Sequence, residues 1–162
     1  RPSSSGSSRP RSAARLTVWA PPADSVARSR GNAIENNRSL VATLSVRGAR
    51  VFLPGDAEDE AERADLARVM PVDVLKSPHH GSRTSSTAEW VRALRPRVVL
   101  VSCGEKNRFG HPSRTTLGRY RLVGARVYRT DREGAIRVTF GPGGAWVSTR
   151  AHPEPEWVEW GR

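Results

Sequence analysis

Hydrophobic residues follow two spacings along this chain, and each spacing predicts a different element. Runs that alternate with polar residues, or that are apolar throughout, predict strands, because successive side chains of a strand point to opposite faces. Such runs lie at residues 15–20, 39–46, 49–53, 72–75, 97–102, 125–129, 135–140 and 145–149. Helical spacing covers residues 58–69, 86–94 and 114–123. Strands that alternate with helices are typical of a layered α/β domain.

Local signals refine this pattern. Arg47 and Gly48 predict a tight turn between two strands, and Gly124 predicts the end of the third helix. In the first helix, Ala61, Ala64 and Leu66 are expected to face the core. The acidic residues at its start suit the positive end of the helix dipole.

Three segments lie outside the pattern. Residues 1–14 consist almost entirely of Ser, Arg, Pro and Gly, which predicts a disordered linker, because they cannot bury enough apolar surface to become ordered. Residues 24–36 are polar and predict a loop, and residues 151–162 form a polar tail of no clear class. The folded domain is therefore expected over residues 15–150. Its longest apolar run, Val98–Val101, is too short to cross a bilayer, so we expect no membrane span in this chain.

The charge is strongly unbalanced. Lys and Arg total 27 against 16 for Asp and Glu, which gives a net charge of +11. This excess favours a polyanionic partner such as DNA, because binding releases the counterions condensed on phosphates. An arginine-rich but ordinary solvated surface explains it equally well. Cys103 is the single cysteine, which excludes an internal disulfide and any zinc cluster built on cysteines.

Residues with catalytic chemistry gather in loops beside predicted strands. Asp56 follows Gly55 at the end of one strand, and His79 and His80 follow another. Carboxylates and imidazoles bind zinc or manganese, and sites in layered α/β domains lie at such loops. Structural explanations also exist, since Asp56 can cap the following helix and a histidine can cap a polar loop. Two further segments contain candidate site residues. Residues 36–39 can equally be a simple turn, and residues 102–112 can equally be a surface loop.

Taken together, five segments resemble the metallo-β-lactamase domain of the ComEC/Rec2 proteins, which internalise DNA in bacterial competence. They are residues 36–41, 52–56, 73–82, 96–104 and 107–112, in that order within residues 15–140. The resemblance implies the C-terminal half of that domain: a partial αββα sandwich with a mixed sheet, helices on the outside and metals at one edge.

The resemblance also implies roles for individual residues. Asp56 would bridge two divalent metal ions, zinc or manganese, and His80 would hold one of them. His79 would face the substrate phosphate, although the roles of the two histidines can be exchanged. Asp56, His79 and His111 would be the catalytic groups. The expected substrate contacts are Asn37, Ser82, Asn107 and His111.

One motif of the fold is missing from this sequence. The principal metal-binding run, His-x-His-x-Asp-His, matches none of the four histidines, His79, His80, His111 and His152. In the family this run lies N-terminal to the segment that begins at residue 15. Two or three ligands cannot hold two metal ions and also orient a water molecule, so the chain alone is expected to be inactive. The missing half is also expected to leave a strand edge and apolar faces exposed.

The function implied by the resemblance is metal-dependent hydrolysis of a phosphodiester, with single-stranded DNA as substrate. The expected setting is a soluble domain of a bacterial inner-membrane protein, on the extracytoplasmic side. The expected partners are the N-terminal half of the same domain and a transmembrane channel domain. Two alternatives remain: a non-catalytic fragment that binds DNA or a partner through its basic surface, and a hydrolase of the same fold that acts on small phosphoesters.

Overall fold

The computed structural model describes residues 14–21, 23–31 and 33–161. Its strands are β1 Arg15–Trp19, β2 Val41–Val46, β3 Ala49–Leu53, β4 Val74–Lys76, β5 Val98–Val101, β6 Arg126–Arg129, β7 Ile136–Gly141, β8 Gly144–Thr149 and β9 Glu156–Glu159. Its helices are α1 Ala23–Arg28, α2 Ala33–Asn36, α3 Asp59–Asp65, α4 Ala88–Leu94, α5 Arg114–Leu122 and α6 Thr130–Glu133, with a 3₁₀ turn at Pro78–Gly81. The linker predicted over residues 1–14 lies outside these ranges except for residue 14.

Six strands form the main sheet in the order β1-β2-β3-β4-β5-β6. The first three pair antiparallel, and β3 to β6 run parallel to one another. The β2–β3 hairpin turns at Arg47 and Gly48, whose φ angles of 49° and 80° suit the twist of such a connection. Val98, Val99 and Val101 are fully buried, as expected of a parallel strand that is covered on both faces.

The main sheet has a different layer on each face. On one face, Trp90 and Leu94 of α4 and Tyr120 of α5 pack against Leu75 and Val99. On the other face lies a second sheet of order β7-β8-β9, which contributes the buried residues Ala145, Val147 and Val158. The predicted α/β class is confirmed, and these helix, sheet and sheet layers agree with part of an αββα sandwich. Within the described ranges, no helix is long and apolar enough to cross a bilayer.

The prediction of a loop over residues 24–36 is wrong, because the structure has α1 and α2 there. Both helices are very short and have no apolar periodicity, so the sequence contains no helical signal. Contacts between α1 and α3 and the buried side chain of Ser29 hold this segment against the domain. Tertiary packing has therefore decided a conformation that local propensity leaves open.

The C-terminal residues also differ from the expectation of an unclassified tail. Residues 156–159 form β9, which pairs antiparallel with β8. Val158 and Trp160 are buried, whereas Trp157 packs against Trp146 on the outer face of the second sheet, with ring centroids 5.0 Å apart and the rings tilted by 56°. Two glutamates flank the apolar pair of β9, so the strand has too few apolar positions to be recognised before its partner strand is known.

Helix α3 buries more than the predicted face. Ala61 lies in the core as expected, but Glu62 is also buried, with 1 % of its surface exposed. The Glu62 carboxylate accepts the backbone N–H groups of Ser86 and, at 2.7 Å, of Thr87, the residue that caps α4. The hydroxyl of Tyr120 lies 2.5 Å from Ser86 Oγ in the same network. Glu62 therefore ties α3 to the segment that connects the 3₁₀ turn to α4.

Replacement of Glu62 by alanine should destabilise the protein by about 2 kcal/mol, because two buried backbone donors would lose their acceptor. The free energy of unfolding in urea measures this loss. Glu154→Ala, at an exposed position, is the matched control and should change stability by less than about 0.5 kcal/mol. Equal effects of the two substitutions would show that Glu62 does not hold the start of α4.

The same carboxylate should make stability depend on pH. Burial raises the pKa of Glu62 to about 7 from its ordinary value of 4.5, although the two backbone donors act in the opposite direction. The folded state then holds a proton that the unfolded state has lost, so this contribution to stability falls as the pH rises from 4.5 to 7. Unfolding of wild type and Glu62→Gln across this range should show a steeper loss for wild type. Parallel curves would contradict the assignment.

Candidate active site

The candidate residues lie close together at the carboxyl ends of three central strands of the main sheet. Asp56 follows β3, the histidine pair follows β4, and His111 lies in the long loop after β5. Because β3, β4 and β5 are neighbouring parallel strands, their carboxyl ends lie side by side. Topology therefore brings together three loops that are far apart in sequence.

The turn that carries the histidine pair has an unusual backbone. His79, His80 and Gly81 have φ angles of 44°, 55° and 83°, a region that residues with a side chain rarely adopt. A Cβ atom at Gly81 would lie 2.5 Å from Cβ of Pro112, so only glycine fits there. The neighbouring loops hold this turn, since the N–H of His79 donates to Gly55 O at 3.2 Å and the N–H of Ser113 donates to Gly81 O at 2.9 Å.

Asp56 is positioned by a second close approach. Gly55 has a φ of 62°, and a Cβ atom there would lie 2.6 Å from Cβ of Ser39. The backbone N–H of Asp56 donates to Ser39 Oγ at 3.0 Å. Lys76 Nζ lies 3.7 Å from Asp56 Oδ1 and donates to Gly55 O at 3.3 Å. The Asp56 carboxylate is thus held at the edge of the sheet beside one cationic side chain.

His80 presents a ring nitrogen to that carboxylate. Its Nδ1 lies 2.7 Å from the carbonyl oxygen of Ser102, and a carbonyl oxygen only accepts, so Nδ1 carries the proton. The other nitrogen, Nε2, lies 3.7 Å from Asp56 Oδ1. In the neutral ring this leaves a lone pair of Nε2 beside a carboxylate oxygen. Histidines that bind a metal through one ring nitrogen characteristically donate a hydrogen bond from the other, which fixes the tautomer.

The spacing of these two atoms suits a shared cation. Ligands about 2.1 Å from a tetrahedral ion lie about 3.4 Å apart, a few tenths of an ångström less than the separation seen here. Zinc sites have three or four protein ligands, however, and the described ranges contain no group of three or more His, Cys, Asp or Glu side chains arranged to hold one ion. Asp56 and His80 therefore fit one side of a metal site and do not complete it.

His79 has different neighbours. Its Nδ1 lies 2.9 Å from Glu58 Oε1, although the pair is not aligned as a hydrogen bond. Glu58 is itself held by Asn36, whose Nδ2 donates to Oε1 at 2.6 Å. The His79 ring lies edge-on to His111, with centroids 5.5 Å apart. His79 thus lies beside a buried carboxylate, whereas His80 faces Asp56.

His111 is the third imidazole of the cluster. Burial lowers the pKa of His111, the neighbouring His79 and His80 lower it further, and the Asp56 carboxylate opposes them. The loop that carries His111 is clamped by Asn107. The Asn107 side chain donates to His111 O at 2.7 Å and accepts the N–H of His111 at 2.9 Å. Asn107 was expected to contact substrate, and here both ends of its amide are used to position His111.

Two other expected substrate contacts lie in the interior. Asn37 is 0 % exposed, and its side chain donates to Ser29 Oγ at 2.7 Å and accepts the N–H of Glu58 at 2.7 Å. Ser82 is 5 % exposed, and its hydroxyl lies 2.9 Å from that of Thr84. In this conformation neither side chain reaches a substrate, because each already satisfies a buried partner. They support the loops that carry Asp56 and the histidines.

Two further residues of this cluster, Glu58 and Lys76, are not among the candidates that the sequence predicts. Glu58 was explained by the helix dipole alone, and its contact with His79 depends on an approach between two loops. Lys76 precedes the histidine turn by only two residues, and a cation so close to two candidate ligands was a signal that could have been used. Glu58 Oε1 lies 2.9 Å from His79 Nδ1, and Lys76 Nζ lies 3.7 Å from Asp56 Oδ1.

Comparison with known proteins adds evidence that is independent of this geometry. No protein-family model matches the chain. ComE operon protein 3 of Bacillus subtilis is 37 % identical over 111 residues, which cover 67 % of this chain and 14 % of that protein. Competence protein ComA of Neisseria gonorrhoeae is 31 % identical over 118 residues, which cover 71 % of this chain and 17 % of that protein.

Recombination protein 2 of Haemophilus influenzae is 31 % identical over 106 residues, or 65 % of this chain. The aligned segment spans only 14 to 17 % of the length of these relatives. The matches agree with the resemblance carried by the motifs at residues 52–56, 73–82 and 107–112. The chain belongs to the ComEC/Rec2 family of competence proteins and corresponds to a short segment of its longer members.

Proposed function

We propose that this chain is part of a metal-dependent phosphodiesterase that cleaves DNA within a longer ComEC/Rec2 protein. The observation that carries the proposal is the approach of Asp56 Oδ1 and His80 Nε2 to 3.7 Å, with the ring proton of His80 committed to the other nitrogen. Two electron-pair donors that face each other are suited to a shared divalent cation. Zinc or manganese would be compatible with this donor set.

In this proposal, some residues of the chain bind metal and others donate protons or hydrogen bonds. Asp56 and His80 would hold metal, with Asp56 bridging two ions in the intact domain. When bound, such ions supply an activated water and neutralise charge on the phosphate. His79, beside Glu58, would donate a ring N–H to a phosphate oxygen. His111, whose pKa burial and the neighbouring imidazoles lower, would offer an N–H to the leaving oxygen.

The names of two relatives support DNA as the substrate class, since one refers to competence and the other to recombination. The further ligands would come from the N-terminal half of the same domain, which in this family would carry the missing histidine motif. A transmembrane channel domain would be the other partner, with this domain on the extracytoplasmic side of the inner membrane. Single-stranded DNA is the substrate that fits this placement.

Asp56→Asn in the full-length protein should reduce hydrolysis of single-stranded DNA by at least about 100-fold, because an amide is a poor bridging ligand and carries no charge. Cleavage of a labelled oligonucleotide with Mn²⁺ or Zn²⁺ measures the effect. Asp59→Asn is the control, because the Asp59 carboxylate pairs with Arg63 and contacts neither Asp56 nor the three imidazoles. A retained rate in Asp56→Asn would contradict the bridging role.

The same assay distinguishes the other functions. Faster turnover of a small phosphodiester than of DNA would favour a small-phosphoester hydrolase. Binding of DNA by the wild-type full-length protein without any cleavage would favour the non-catalytic alternative, which agrees with the incomplete ligand set among the described residues.

The two histidines should differ in their effect on metal content. His80→Ala should lower the bound metal of the full-length protein more than His79→Ala does, because His80 Nε2 faces Asp56 whereas His79 faces Glu58. Elemental analysis after dialysis measures the content. Loss of activity with retained metal is expected for His79→Ala, and the opposite order would show that the roles are exchanged.

A further inference from the structure

A second concave site lies at the opposite end of the main sheet. A cavity of about 480 Å³ opens where β4 and β5 begin, beside the C-terminal end of α4. The active-site loops follow the other ends of the same strands, so the four residues of β5 separate the two sites by about 13 Å. Neither Asp56 nor any of the three imidazoles lines this cavity.

The lining of this cavity is strongly cationic. Arg50, Arg92, Arg95 and Arg97 contribute four positive charges against one carboxylate, Asp73, which leaves an excess of three. Asp73 accepts the backbone N–H of Arg50 at 2.8 Å. The helix dipole of α4 accounts for cations at its C-terminal end. It does not account for Arg50, which lies in β3, or for Arg97, which directly precedes β5; both line the same cavity.

Two of these arginines are held in unusual positions. Arg95 ends α4 in the left-handed conformation, with a φ of 44°, at a position where glycine is the common residue. Arg97 donates to the carbonyl oxygen of Gly161 at 3.1 Å, which fixes its guanidinium at the rim and leaves further N–H donors for a ligand. Convergence of guanidinium groups on a concave surface is well matched to phosphate oxygens.

The cationic surface continues along the helical side of the sheet. A neighbouring cavity of about 330 Å³ shares Arg50 and Val72 with the first and adds Arg15 and Arg68, with no carboxylate in its lining. Trp19 lines this second cavity while its ring also stacks on Phe52, with centroids 5.9 Å apart. We call the combined surface the arginine groove; it contains Arg15, Arg50, Arg68, Arg92, Arg95 and Arg97.

We propose that the arginine groove binds the phosphate backbone of single-stranded nucleic acid at a site distinct from the hydrolytic centre. An elongated basic groove with an aromatic ring suits a single strand, whose phosphates meet arginines and whose bases stack on aromatic faces. A concave surface is poorly suited to a flat lipid bilayer, so nucleic acid is the better match than a membrane. The groove would hold the strand at one end of the domain while the other end acts on it.

Binding can be measured without hydrolysis, so the result does not depend on the proposed function. The full-length protein, in EDTA, is titrated into a fluorescein-labelled oligothymidylate of about 15 nucleotides, and binding is followed by fluorescence anisotropy. Arg92→Ala/Arg95→Gly removes two charges from the groove, and glycine suits the left-handed backbone at position 95. Arg132→Ala/Arg137→Ala removes two charges from exposed positions outside it and is the matched control.

The groove variant should bind at least about 10-fold more weakly, and its dependence of log K on log salt should become shallower by about 1.4, or 0.7 for each lost phosphate contact. The control should change affinity less than about 2-fold. Arg92→Ala alone, at an exposed position, provides a second variant with a smaller loss in the same direction. Circular dichroism verifies the fold of each.

Equal losses in the groove and control variants would overturn the proposal, because net charge alone would then explain binding. Unchanged binding in the groove variants would overturn it as well. Vesicles of phosphatidylglycerol and phosphatidylcholine form the last arm. If the groove variants lose vesicle binding but keep oligonucleotide binding, the surface contacts lipid and the proposal is wrong.

Discussion

The left-handed turn at His79, His80 and Gly81 is the feature on which the geometry of the active site depends. Three successive residues adopt a conformation that is unfavourable for two of them, and each is held by a different neighbour: Gly55 O, Ser102 O and Pro112. Such a backbone persists only where its surroundings determine it. The loops after β3 and β5 provide those surroundings, which is why the site requires the parallel arrangement of β3, β4 and β5.

Two buried carboxylates lie next to this turn and the segment that follows it. Glu58 Oε1 lies 2.9 Å from His79 Nδ1, and Glu62 accepts two backbone N–H groups of the segment between the turn and α4. Glu58 directly precedes α3 and Glu62 lies within it, so this short helix supports the segment that carries the histidines. Acidic residues at a helix start usually serve the helix itself. Here the position of α3 beneath the loop gives two of them a further structural role.

The two ends of the sheet differ in charge and in chemistry. At the carboxyl ends of the parallel strands, carboxylates, imidazoles and Lys76 are interleaved, which suits binding of metal and transfer of protons. At the opposite end, Arg50, Arg92, Arg95 and Arg97 face a single carboxylate. The large positive charge of the chain is therefore not spread evenly, and part of it is concentrated on a concave surface far from Asp56.

The sequence alone determined the α/β class, all strands of the main sheet and the three longer helices, because each has a periodic apolar pattern of its own. Its motifs also identified the ComEC/Rec2 family and singled out Asp56, His79, His80 and His111. Tertiary structure decided what local pattern does not encode. It placed Asn37 and Ser82 in the interior, paired β9 with β8, and brought Glu58 and Lys76 to the site. The physical reason is that a polar side chain carries the same chemistry whether it faces a substrate or a buried partner, and only the packing of distant segments distinguishes the two.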